Sequence, residues 1–124
     1  MSEFTFGEFE ELVRNFEGPL LVCFYKDGMV DNNYNHFIER LIKDIGDEIN
    51  IVRVDITNNS TIQNYYDVVN SPELDIFYNG HKAWGFGCGI YSSEYVKHTV
   101  YFVKARNSFN NREGDIGVWA TVSS

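Results

Sequence analysis

Two cysteines are the only side chains here that invite thiol chemistry: Cys23 in LLVCFY and Cys88 in GFGCG. Dithiol exchange needs one thiolate to attack and a second thiol to resolve the mixed disulfide. The two lie 65 positions apart, so no Cys-x-x-Cys is present. Cys88 has no basic neighbour in sequence to lower its pKa, and its simpler role is a small apolar residue at a strand end. His36, His81 and His98 are scattered, and no Cys or His spacing resembles a zinc site. Asp27, Asp31, Asp44 and Asp47 read as solvated charges rather than a metal site or a catalytic pair. Neither a Ser-His-Asp set, a phosphate loop nor a dinucleotide fingerprint appears, so neither metal nor cofactor is expected.

The elements that position these residues follow from pattern. Thr5 and Glu8 have capping-box spacing, with Phe4 and Phe9 as a hydrophobic staple. Phe9, Leu12, Val13 and Phe16 then mark one buried helix face, ended by Gly18 and Pro19. Leu20–Tyr25 is apolar on both faces and reads as a central strand. Lys26–Asn33 is a loop. Phe37, Ile38, Leu41, Ile42 and Ile45 make the stripe of an amphipathic helix over residues 33–45, stopped at Gly46. Ile49–Asp55 is expected to be a second central strand. A short helix carries Ile62, Tyr65 and Tyr66. Leu74–Tyr78 and Lys82–Cys88 form a hairpin about Asn79-Gly80. Ser92 or Ser93 caps a last helix carrying Tyr95, Val96, Val100 and Val103. The tail is read as a polar stretch followed by a half-buried strand, IGVWATV at 116–122. An uncovered edge strand invites aggregation, so this one is expected to dock within the chain, on a second copy or on a partner.

A chain of 124 residues with 44% hydrophobic and 23% charged side chains is one ordinary globular domain. The net charge of −8 argues against nucleic acid and against anionic membrane surfaces, both of which attract basic residues. No segment is apolar enough to span a membrane, and the start MSEFTFGEFEEL lacks a secretory pattern. Two cysteines are too few for a secreted disulfide scaffold, so a cytoplasmic location is expected.

The order helix, strand, helix, strand, helix, strand, strand, helix resembles that of the thioredoxin family, over roughly Phe4 to Lys104. The segment NSPELDIFYNG (Asn70–Gly80) and the upstream strand LLVCFY carry the likeness. It implies an α/β thioredoxin fold: a mixed four- to five-stranded sheet with helices on both faces. Residues 1–105 would form the domain and 106–124 an extension adding a strand. In the resemblance the family's two cysteines fall on Met29 and Asn32, with Val30 and Asp31 between them. Tyr25 stands for its usual tryptophan and Cys23 for its buried, proton-handling Asp. Pro72, after Ser71, matches its cis-proline, and Gly87 or Gly89 the glycine lining its groove. In that fold the Leu74–Tyr78 strand separates Cys23 from Cys88 by about two strand spacings, roughly 9–10 Å. A disulfide needs alpha carbons within roughly 7 Å, so two free thiols are expected.

What the resemblance implies is therefore a redox-inactive module that binds a protein or an extended peptide by strand addition. Its face would comprise Tyr25, Asp27, Met29, Val30, Asp31, Asn32, Ser71, Pro72, Gly87 and Gly89. An enzymatic alternative works through Cys88 with an external thiol. A further one is the spliceosomal thioredoxin-like family, which VDIT (Val54–Thr57) and the extension resemble. The oligomeric state is read as monomer, or dimer through the extension.

Overall fold

The computed structural model describes residues 4–111. Helix α1 (Phe6–Asn15) starts with the expected capping box: the Thr5 side chain accepts from Glu8 N, and the Glu8 carboxylate accepts from Thr5 N at 2.9 Å. The staple rings of Phe4 and Phe9 meet edge-on at 5.7 Å. Strand β1 (Leu20–Tyr25) follows, then α2 (Asn32–Ile45), β2 (Asn50–Asp55), α3 (Ser60–Tyr65), β3 (Glu73–Tyr78), β4 (His81–Gly87) and α4 (Ser93–Asn111).

The four strands form one sheet in the order β2-β1-β3-β4. β1 runs parallel to β2 and antiparallel to β3, and β3 is antiparallel to β4. β1 and β3 have apolar residues on both faces because both are central. β2 was expected to be central, yet among the described residues it is an edge. Its exposed Asn50 and Arg53 tolerate that position, and only β1 pairs with it. At the β3–β4 turn, Asn79 and Gly80 have φ of 57° and 87°. These are the left-handed values that a two-residue hairpin requires.

Alternation along the strands divides the core in two. Leu21, Cys23, Leu74 and Ile76 pack under α2 and α4, against Phe37, Ile38, Leu41, Val96 and Val100. Leu20, Val22, Phe24 and Phe77 pack under α1 and α3, against Phe9, Val13 and Ile62. Phe9 anchors the second layer, with edge-on contacts to Phe24, Tyr66 and Phe77 at 5.1–5.9 Å.

The end of α4 corrects one reading of the tail. The polar stretch expected to be loop-like after Arg106 is helical as far as Asn111. No glycine or proline interrupts 93–111, and Asn107 Nδ2 donates to Val103 O at 2.8 Å. The remainder of the extension, including the 116–122 strand, lies outside the described residues.

Candidate functional site

The loop from Lys26 to Asp31 is tied down at both ends. Lys26 N donates to Ser71 Oγ at 3.0 Å, and Asp27 N donates to Thr57 Oγ1 at 2.8 Å. Thr57 is itself held by the Asp55 carboxylate. Asp31 ends the loop as the N-cap of α2, its carboxylate accepting from Tyr34 N at 2.8 Å. An acidic cap suits the partial positive charge at a helix start.

The loop separates two concavities. On one side Met29, Asp31, Tyr34, Ser71, Pro72, Cys88 and Ile90 line a groove of about 240 Å³. The Ser71–Pro72 bond at its edge is cis. Among the described residues, no hydrogen bond uses the backbone N–H or carbonyl of Ser71. Met29 and Ile90, 61% and 52% exposed, make its rim apolar. On the other side Tyr25, Asp27 and Val30 face a cavity of about 410 Å³ with Cys23, Tyr34 and Arg53.

The expected face is thus split. Met29, Asp31, Ser71 and Pro72 share the groove, while Tyr25, Asp27 and Val30 belong to the cavity behind the loop. Asn32, Gly87 and Gly89 line neither: Asn32 is the first helical residue of α2, Gly87 ends β4, and Gly89 packs on the Tyr91 ring. Sequence reading missed Tyr34 and Ile90. Tyr34 reads as an ordinary aromatic of a helix start, and only the fold shows that it borders both concavities.

Both thiols are free, Cys23 buried and Cys88 exposed. Burial raises the Cys23 thiol to about 11, outweighing the opposing pull of Arg53, so it stays protonated. The Tyr34 hydroxyl beside it is also pushed up, by burial first and then by Cys23. That hydroxyl is buried and lacks a hydrogen-bond partner among the described residues. The residues in the groove can therefore hold an apolar segment and offer backbone pairing at Ser71, with one accessible thiol nearby. Among the described residues, no group of three or more His, Cys, Asp or Glu is placed to hold a metal ion. No described helix is long and apolar enough to cross a membrane.

Fold and site together define a thioredoxin-type domain. The thioredoxin family model matches residues 1–98, and the chain belongs to that family. A curated relative, chloroplastic thioredoxin Y of Oryza sativa subsp. japonica, is 28% identical over 94 residues, 75% of this chain. The chain spans only 56% of that relative's length. Among solved structures, a single-site mutant of thioredoxin from Halobacterium salinarum NRC-1 superposes with a TM-score of 0.67 at 15% identity, covering 82% of this chain and 88% of that one. Fasciola hepatica thioredoxin gives 0.63 at 22% identity, covering 81% and 95%. At such identities these structures speak for the fold alone.

Proposed function

We propose that this protein is a binding member of the thioredoxin family that captures an extended protein segment without exchanging disulfides. The observation carrying this reading is the groove itself. It pairs the turn at Ser71–Pro72 with Met29, a residue that can neither attack nor resolve a disulfide. The second residue at a cysteine position, Asn32, begins α2 and is equally inert. An added strand would pair with the Ser71 backbone, and an apolar side chain would settle between Met29, Pro72 and Ile90. The proposed partner is a protein or extended peptide, and no cofactor is needed.

A second reading has one specific observation in its favour. Cys88 is exposed and lines the same groove. With an external thiol as resolving partner, it supports a divergent oxidoreductase, in keeping with the name of the rice relative. An insulin-reduction assay with a thiol reductant separates the two. The binding reading expects no acceleration over the reductant alone, whereas turnover that vanishes in Cys88→Ser establishes the oxidoreductase. Partner capture is compared between wild type and Ile90→Arg, whose exposed position leaves the core intact. Equal recovery by both counts against the groove.

A further inference from the structure

We propose that the cavity behind the loop, walled by β1, β2 and the start of α2, binds a small organic monocarboxylate. It shares only Tyr34 with the peptide groove, because alternate loop residues face the two sides: Asp27, Gly28 and Val30 line the cavity, Met29 and Asp31 the groove. Its volume of about 410 Å³ falls within the range of small-molecule sites.

The donors are arranged for a carboxylate. Arg53 on β2 stands directly opposite Cys23 on β1, so both project on the same face of the sheet. Its guanidinium is oriented by Nη2 donating to Asn35 Oδ1 at 3.2 Å. A guanidinium has five N–H groups in a fixed fork, which leaves an edge for bidentate pairing with a carboxylate. Deeper in, the buried Tyr34 hydroxyl borders the cavity beside the Cys23 sulfur, a weak acceptor at best, and makes no well-formed hydrogen bond among the described residues. A buried donor left unpaired is costly, and a ligand oxygen would satisfy it. Val30 and the half-buried Tyr25 supply apolar wall for a short carbon body.

The same surroundings set selectivity. Cys23, held as a neutral thiol by burial, adds no charge of its own. Asp27 lines the cavity, and both Asp27 and Asp55 act on the Tyr25 phenol. Those two carboxylates oppose a second negative charge on the ligand. One carboxylate is therefore preferred to a phosphate ester, and the net charge of −8 provides no long-range attraction, so affinity is modest.

The test is an amide-shift NMR titration of the full chain with benzoate, its neutral isostere benzamide, and phenyl phosphate. Benzoate is expected to give saturable shifts at Cys23, Val30, Tyr34 and Arg53, with benzamide and phenyl phosphate at least about tenfold weaker. Arg53→Gln and Arg53→Lys, at an exposed position, should each weaken benzoate about tenfold, the lysine because it lacks the fork. Tyr34→Phe should weaken it roughly fivefold while keeping the melting temperature, since it deletes a hydroxyl that makes no well-formed hydrogen bond in the free protein. The proposal is overturned by benzoate shifts that do not saturate up to about 20 mM. Equal binding of benzamide, undiminished binding by Arg53→Gln, or shifts confined to Met29, Ser71 and Ile90 overturn it equally.

Discussion

Replacing Asp75 by Asn should change how stability depends on pH, and the direction follows from its burial. Asp75 sits in the middle of β3 with no exposed surface, and neither carboxylate oxygen has a hydrogen-bond partner among the described residues. The nearest cation, Lys82 Nζ, is 3.8 Å from one oxygen but 3.2 Å from Glu73, to which it donates. Glu73 is better served: its carboxylate also accepts from Val69 N and Asn70 N at 3.1 Å each. Two carboxylates with one lysine cannot both ionise cheaply in such a place. Burial, reinforced by Glu73, pushes Asp75 up from 3.8 to about 8; against its own burial, Glu73 is held below its ordinary value by the protonated Asp75 beside it, then by Asn70 N and Lys82.

The folded state therefore holds a proton on Asp75 that the unfolded chain releases above about pH 4. Stability from this group is fully present below 3.8 and is lost as pH rises toward 8. A one-proton difference is worth about 1.4 kcal/mol per pH unit, so wild type should lose about 2.7 kcal/mol from this source between pH 5 and 7. Glu73, held low in the folded state, opposes this slope only weakly and only near pH 5. The assay is urea unfolding of wild type and Asp75→Asn at pH 5, 6 and 7. The variant should gain on wild type by about 2.7 kcal/mol over the two units. Parallel profiles, or a variant that loses ground as pH rises, would mean that Asp75 is an ion-paired carboxylate and would refute the reasoning.

Two further outcomes are expected from the core and the thiols. Phe9→Ala removes the ring that joins α1 to Phe24, Tyr66 and Phe77, and should cost about 3–5 kcal/mol in chemical denaturation. A loss under 1 kcal/mol would show that the layer repacks. Iodoacetamide should label Cys88 alone in native protein and both cysteines in denaturant, read by mass, because Cys23 is buried and protonated. Rapid native labelling of Cys23 would contradict a buried, protonated thiol.

Local signals were legible because their physics is local. Thr5 and Glu8 meet across a single turn, and Asn79-Gly80 supplies two left-handed residues whatever the sheet around them. The apolar run that became β1 could be recognised as central because burial on both faces leaves no polar alternation, a signal that β3 lacks because Glu73 and Asp75 alternate with Leu74 and Ile76. The second strand, Ile49–Asp55, was placed centrally for a similar reason. An edge position depends on which neighbours the other strands choose, and INIVRVD does not encode that. The expected binding face was a list of loop and turn residues, and the loop's alternation divided it between two concavities.

Composition and order of elements by themselves determined an acidic α/β chain with the thioredoxin order and no Cys-x-x-Cys. Those properties are sums or short-range patterns, readable without knowing what touches what. Tertiary structure alone decided that Asp75, within a run that reads as apolar, lies buried beside Glu73 and Lys82. It also brought Tyr34, Cys23 and Arg53, from a helix and two strands, around one cavity. Burial and convergence between distant segments create those environments, and they exist only once the sheet is assembled.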